Sequence, residues 1–481
     1  MCYHILDFRK TKSQFYQKMG DISPFDAGIP LFDCSNKKIT EVYYYRWNLF
    51  CKHIRKTPEG HVITEFYPEV PWAKKYNTIS CPAGHHLYEG RWLHNPQYVK
   101  DYATFWFTDK DADPRSYSFW AADSVYNVCK VTGDFSIAEL LYEGLCKNYE
   151  GWENTHLHEN SMFWQTDGRD GMEYSVSGAG IRPTINSYMC ADAKALSQIA
   201  LRVSDEQNFK KYSDKYEFLK EKINTVLWDK QAEFFKPLSK NLNYTFPDAR
   251  EQIGFVPWYF NIPTEEKTVA WKFLNDENYF KAPYGPTTLE RNHPRFMEEF
   301  DHECLWNGPS WPFATSQTLT ALANLLNNYN QSVMTKSDFY NLLDTFAKSQ
   351  YDGDKPYTDE NLDPFTGEWI ARRKLREMEN PPGGDDRGKD YNHSSFCDIV
   401  ITGLCGIRPL EGKSLSINPL FREDDLDFLC LDGVQYHGHL ITILWDKDGT
   451  RYQKGKGLHI YTDGKEVFAS DKLAKKSIGV L

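Results

Sequence analysis

Residues 184–229 read TINSYMCADAKALSQIALRV followed directly by SDEQNFKKYSDKYEFLKEKINTVLWD. In the first half Ile185, Met189, Leu196, Ile199 and Val203 recur at helical intervals, and in the second Phe209, Tyr212, Tyr216, Leu219, Ile223 and Val226 do the same. Ser204 followed by Gln207 has the spacing of a capping box. The stretch predicts two long helices meeting near residue 204.

The same rhythm extends outward. Amphipathic helices are expected over 41–52, 117–131, 137–149, 264–274, 312–328, 337–348 and 393–404, the fifth with Pro312 at its first turn. Three long segments between them, 74–102, 150–182 and 349–391, are expected as loops. Loops of that length inside a compact domain usually carry function. Paired helices joined by long aromatic and acidic loops predict a mainly α, toroidal body. After residue 406 the pattern alternates as strands do, in Ser414–Asn418, Gln435–Trp445 and Gly457–Tyr461. Turn signals stand at Asp432-Gly433, Asp448-Gly449 and Asp463-Gly464. The expected organisation is therefore a lead-in over 1–70, a catalytic body over 71–405 and a small β-sandwich-like module over 406–481.

Composition narrows the function. The 481 residues carry a formal charge of −11, which argues against nucleic acid, whose phosphates require a basic patch. No apolar run reaches the roughly 18 residues needed to span a bilayer. Residues Met1 to Lys10 lack the basic-then-apolar pattern of a signal peptide, so a cytoplasmic or periplasmic location is expected, with Cys2 as a trimmed lipoprotein cysteine the minor alternative. The 11 cysteines include no CxxC pair, so buried free thiols are expected rather than zinc or a disulfide framework. No metal site or cofactor is indicated, and nothing sets an oligomeric state. The 30 Tyr, 30 Phe and 14 Trp residues offer ring faces that stack on sugars, and a carbohydrate is the expected partner.

Three segments could carry chemistry. WQTDGRDGMEYSVSGAGIR, from Trp164 to Arg182, places Asp170 and Glu173 in a Gly-rich loop. A carboxyl beside Met172 and Tyr174 is either partly desolvated, which suits a general acid, or simply a solvated loop residue. YDGDKPYTDENLDPFTGEWIARR, from Tyr351 to Arg373, sets Glu368 between Gly367 and Trp369 as a candidate base. Trp306-Asn-Gly-Pro-Ser-Trp311-Pro312 is either a stacking platform or a structural cluster.

Asp170-Gly-Met-Glu-Tyr-Ser175 resembles the ESGWDxSxRW-type segment of the trehalase-like six-hairpin (α/α)6-barrel glycosidases, a group that includes glycoside hydrolase family 63 and the mannosylglycerate hydrolases. Asp363-Pro-Phe-Thr-Gly-Glu368 is similar to their NPLTGE segment, Leu305–Pro312 to the W-x-G-P-x-W-P segment lining their pockets, and residues 392–409 to the last barrel helix and its exit. The likeness covers residues 114–409. It implies an inverting glycosidase with Glu173 as general acid and Glu368 as general base. Glu173 departs from the family's usual Asp by one methylene, and Ser177-Gly178 stand where the family has Arg-Trp. Asp170 is the rival acid, and Asp385 and Asp386 are rival bases. Trp120, Trp306, Trp311 and Trp369 are candidate walls. Asp170, Arg182, Arg372, Asp386 and His393 are candidates for contacts to substrate. A polysaccharide lyase, a phosphorylase and a non-catalytic sugar-binding protein are the alternatives. Exo action on a chain end is the expectation for a pocket closed by long loops.

Overall fold

In a computed structural model that describes residues 28–479, the helices are α1 (Lys37–Lys52), α2 (Ala83–Gly90), α3 (Gln97–Thr108), α4 (Ala121–Thr132), α5 (Ser136–His156), α6 (Pro183–Arg202), α7 (Glu206–Val226), α8 (Val256–Tyr259), α9 (Pro312–Asn328), α10 (Lys336–Ser349), α11 (Ile370–Glu377) and α12 (Cys397–Ile399), which continues as a π turn over Val400–Leu404. The reading of the N-terminus as lacking a signal peptide, with its note on Cys2, lies outside the described residues. No helix among those described is long and apolar enough to cross a membrane, and the described cysteines are unpaired.

The helix pair that sets the rhythm of the sequence divides its labour. From Pro183 to Ala200, α6 is buried on every side except at Lys194 and Gln198, whereas α7 buries only a stripe, Tyr212, Leu219, Ile223 and Asn224. A helix apolar all round belongs inside a protein, and one with a single stripe lies on its surface. α6 packs against α7, α4 and α8; α8 packs on α9, and α9 on α12; α12 packs on α2, which packs on α4. The outer helix α7 begins differently from expectation. Ser204 has a positive φ of 59°. The cap is Asp205, whose side chain accepts from Asn208 N at 3.0 Å.

The segment 74–102, expected as a loop, holds α2 and the first half of α3. The sequence AGHHLYEG of α2 is buried throughout, so no polar face marks its period. The expected helix over 264–274 is a 3-10 helix, Glu265–Phe273.

The C-terminal module is antiparallel. One sheet orders its strands as Leu31–Cys34, Phe428–Tyr436, His439–Asp446, Gly457–Thr462 and Lys465–Ser470; a second joins Ile407–Pro409, Ser414–Ile417 and Lys476–Gly479. The expected single strand over 435–445 is instead a hairpin. His437 (φ 50°) and Gly438 (φ 83°) make its turn, while Asp432-Gly433 sits at a bulge inside a strand. Asp463-Gly464 does form a turn, with both residues at positive φ, as a type I′ hairpin requires.

Gly406 hinges the helices to this module. Its φ is +77°, and a Cβ there would lie 2.1 Å from the backbone carbon of Asn418. Left-handed backbone costs a non-Gly residue roughly 1–2 kcal/mol, and the clash adds to that. Gly406→Ala is therefore expected to lower the urea midpoint of unfolding. An unchanged midpoint would show that the junction relaxes freely.

Candidate active site

The acidic loop is built around one buried ion pair. Asp170 and Arg182 have no side-chain exposure, and Arg182 Nε donates to Asp170 Oδ2 at 2.8 Å. The hydroxyls of Ser118 and Thr184 also donate to Asp170. Arg182 Nη1 reaches Ser175 Oγ at 3.3 Å, Ser177 Oγ at 3.2 Å and the Gly178 carbonyl at 2.6 Å. Gly171 turns the chain with a φ of +73°, and Trp306 N donates to the Glu173 carbonyl at 3.0 Å. The guanidinium thus holds the loop from both ends, and Glu173 is the carboxyl left facing a cavity of about 380 Å³.

Four segments supply the rest of that cavity. Glu65 and Phe66 follow the strand Gly60–Ile63. His302, Glu303 and Cys304 come from a loop pinned by Lys374 of α11, whose Nζ donates to the Phe300 and His302 carbonyls at 2.7 and 2.8 Å. Glu360 lies just before Leu362, whose backbone exchanges hydrogen bonds of 2.9 and 3.0 Å with Ser310. Arg387, Tyr391 and His393 come from the segment leading to α12. Trp306 and Trp311 stack at 4.6 Å and 20°, and Phe66 and Trp72 extend the aromatic lining.

Among the described residues, four glutamates face this space against one guanidinium. Arg387 donates to the carboxylate of Glu303, bonds the Pro382 carbonyl at 2.7 Å, and sits 3.9 Å from Glu360 Oε1. Glu360 Oε2 accepts from the Cys304 thiol at 2.8 Å, while its Oε1, Arg387 Nε, Trp306 Nε1 and His393 Nε2 are buried without a hydrogen-bond partner. Unsatisfied buried polar atoms are rare and call for a ligand or water. Burial raises the Glu173 carboxyl to about 8, and the charges of Glu360, Asp167 and Glu303 push the same way. Burial raises Glu360 to about 7 against the opposing pull of Arg387. Burial likewise raises Glu65 to about 8; its Oε1 accepts from Tyr391 Oη at 2.7 Å.

Of the expected residues, Glu173, Trp306, Trp311 and His393 meet in the cavity. The others stand elsewhere. Asp170 and Arg182 are spent on each other behind the loop. Trp120 is fully buried among His85, Tyr188 and Tyr259, with ring centroids 5.0–5.2 Å away. Trp369 packs in a small cluster with Tyr357 and Leu362. Glu368 is 54% exposed at 3.3 Å from Arg373, turned outward because Gly367 N and Asp363 N close a tight turn on Asp363 O and Glu368 O. Arg372 pairs with Asp352 at 2.5 Å, and Asp386 with Arg376 at 2.8 Å, in the same outer loop. Glu65, Glu303, Glu360 and Arg387 are the charged cavity residues that sequence reasoning passed over. Glu360 lies within the quoted stretch, and Arg387 follows directly on Asp385 and Asp386. Among the described residues no cluster of three His, Cys, Asp or Glu could hold a metal.

Residues 75–394 match the profile of the mannosylglycerate hydrolase MGH1-like glycoside hydrolase domain, and residues 407–468 that of the C-terminal domain of glycosyl hydrolase family 65. A solved structure described as a sialidase is similar over 98% of this chain, with 40% identity and a TM-score of 0.91; this chain spans 44% of its length. The glycoside hydrolase family 63 mannosylglycerate hydrolase from Thermus thermophilus, solved with glucose, matches over 75% of this chain and 98% of its own, with a TM-score of 0.52 and 11% identity, a likeness of fold alone. An uncharacterized protein of Borreliella burgdorferi is 26% identical over 183 residues, 36% of this chain and 37% of that protein.

Proposed function

The chain belongs to the mannosylglycerate hydrolase MGH1-like glycoside hydrolases, and from that premise we propose that it is a glycosidase whose acidic cavity removes a terminal neutral sugar by general acid/base catalysis with inversion. One observation carries the reading: Glu173, a carboxyl held protonated to about pH 8, and Glu360, a second carboxyl with a free oxygen beside a guanidinium, line one aromatic pocket. The helices that support their loops are read as an (α/α)6 toroid spanning residues 71–405. The succession of contacts from α2 through α4, α6, α8, α9 and α12 back to α2 supports this.

In this reading Glu173 protonates the glycosidic oxygen as the bond to the anomeric carbon breaks. Glu360 removes a proton from a water that attacks the opposite face of the ring. Glu360 takes the base role foreseen for Glu368 because its neighbours suit it. Arg387 favours its anion, and Oε1 has an acceptor position open for that water. Glu65 is the poorer base, since Tyr391 occupies its carboxyl. The stacked pair Trp306 and Trp311 serves as the platform for the sugar. Trp306 Nε1 and His393 Nε2 await its hydroxyls. A pocket lined by loops favours exo action.

The neutrality of the sugar follows from charge. Four glutamates line the pocket, and Arg387, its one cation among the described residues, is already committed to Glu303. A uronate, sialate or glycerate would enter without a counter-charge. The same lack tells against a lyase, which must neutralise a uronate, and against a phosphorylase. A panel of aryl glycosides of neutral hexoses and 6-deoxyhexoses, set against a glucuronide, a sialoside and mannosylglycerate, tests this. The best neutral substrate is expected to exceed every anionic one in kcat/KM by at least about tenfold, or about 1.4 kcal/mol. Preferential turnover of an anionic glycoside would sink the proposal.

A further inference from the structure

A second cavity of about 520 Å³ opens where the helical body meets the C-terminal module. Its lining shares no residue with the acidic pocket. Between the two runs a train of packed rings: Phe313 to His85 at 4.6 Å, His85 to Trp120 at 5.0 Å, and Trp120 to Tyr259 at 5.2 Å. Trp120, expected as a wall of the acidic pocket, is the core of this partition.

The charge of the second cavity is opposite to that of the first and to that of the whole chain. Its three carboxylates are accounted for. Asp398 Oδ1 accepts from Arg91 at 2.8 and 3.1 Å and from Trp92 Nε1 at 2.6 Å. Glu411 accepts from Tyr126 Oη at 3.0 Å and lies 3.4 Å from Lys130. Asp123 accepts from Tyr88 Oη at 2.6 Å. Cations are left over. Arg408 donates to the Asn324 side chain and has no carboxylate within ion-pair distance among the described residues. Burial lowers its pKa to about 10, so it remains charged at neutral pH. Lys194 is the one charged residue breaking the buried surface of α6. It meets the ring of Tyr216, at 5.5 Å. The exposed Lys475 donates to the Asn327 carbonyl at 3.3 Å.

A second observation points to a ligand. Ser416, a residue of this cavity's lining, is 6% exposed, and its buried hydroxyl has no hydrogen-bond partner. The side-chain amides of Asn127, Gln198 and Asn261 and the rings of Tyr216 and Phe260 complete a wall that offers both donors and faces. A planar guanidinium and an ammonium in no direct ion pair among the described residues, with Asp398 and Asp123 as their more distant opposite charges, suit a carboxylate or phosphate; amides, a hydroxyl and ring faces suit a polyol.

We propose that this cavity is a second binding site, distinct from the acidic pocket, for a small anionic sugar derivative, a sugar phosphate or sugar acid, held by Arg408 and Lys194. The ligand's anion lies between the two cations, and its hydroxyls bond Ser416 and the amides. Because Arg408 and Ser416 belong to the strands leaving the helices, occupancy fastens the module to the body.

Isothermal titration of the full chain with glucose 6-phosphate, glucuronate and glucose, in low salt, tests the site without reference to catalysis. At least one of the two anions is expected to bind at least tenfold more tightly than glucose; which one does so identifies phosphate or carboxylate as the preferred group. Arg408→Gln and Lys194→Gln are each expected to weaken that binding tenfold or more. Lys194 is exposed, so its variant guards against misfolding. Glu411→Gln, which removes a competing charge from a side chain 62% exposed, is expected to tighten it severalfold. Glu173→Gln is expected to leave it unchanged. The proposal is overturned if neither anion binds, if glucose displaces the bound anion as readily as the anion itself does, if both cation variants bind like the parent, or if Glu173→Gln abolishes binding.

Discussion

Glu173→Gln and Glu360→Gln are each expected to lower kcat/KM by about 10²–10⁴, the range a positioned acid or base contributes. The pH dependence of the parent separates the two roles. The acid works protonated, and Glu173 keeps its proton until about pH 8, so activity is lost as pH rises through that value. The base works ionised, and Glu360 gains a proton below about pH 7, so activity is lost as pH falls through that value. A bell with limbs near 7 and 8 is the expected kcat/KM profile on the best neutral glycoside. Inverted product in the first seconds is the expected proton NMR result. Glu65→Gln should keep the acid limb, because Glu65 is already protonated at pH 7. Full activity in Glu173→Gln removes the acid assignment. Full activity in Glu360→Gln, with loss in Glu368→Gln, returns the base role to the outer loop.

The same carboxyls should weigh on stability. A pKa raised from 4.5 to about 8 on folding means that the folded chain holds a proton that the unfolded chain has lost. Stability then falls as pH rises across that window. Glu173→Gln escapes this loss, so its advantage in unfolding midpoint over the parent should grow from about pH 4.5 to 8 and then level off. A site that destabilises the fold in exchange for function behaves this way.

The helical rhythm was readable because outer helices such as α7 show one apolar stripe, and periodicity reports stripes. It failed for α2, whose residues are buried all round, and for the hairpin at His437-Gly438, where an Asp-Gly pair five residues earlier mimicked the turn. At the candidate site, Glu173 and the Trp306 and Trp311 pair were legible because glycines and aromatics crowd around them. Glu360 and Glu368 were not separable from sequence. They lie eight residues apart in one acidic stretch, and only the backbone bonds of Leu362 to Ser310, and the turn closed between Asp363 and Glu368, send the first inward and the second out. Glu65 and Tyr391 meet across 326 positions of sequence, and no local pattern records such a contact.

Arg182→Met is expected to be among the most destabilising single substitutions in the chain, at about 3–5 kcal/mol, because it strands the Asp170 carboxylate in a site with no exposure. The guanidinium does more than neutralise. It joins Asp170 to Ser175, Ser177 and Gly178, so it closes the loop on which Glu173 sits. Arg182→Lys, which offers one ammonium for a planar fork, should recover the charge and little of the geometry. Asp170→Asn should also destabilise, since it leaves the guanidinium unpaired. The double variant Asp170→Asn/Arg182→Met should lose less than the sum of the two, with a coupling of about 0.5–3 kcal/mol read from urea midpoints. A purely structural pair would change stability alone. A pair that aims Glu173 should also lower kcat in Arg182→Lys while KM moves little, and should shift the alkaline limb of the pH profile as the carboxyl leaves its buried position. If Arg182→Lys unfolds early yet keeps the parent's kcat and alkaline limb, the clamp serves the fold and not the acid. If Arg182→Met keeps both the midpoint and the activity, Glu173 is placed by its aromatic neighbours, and the loop needs no ion pair to hold it.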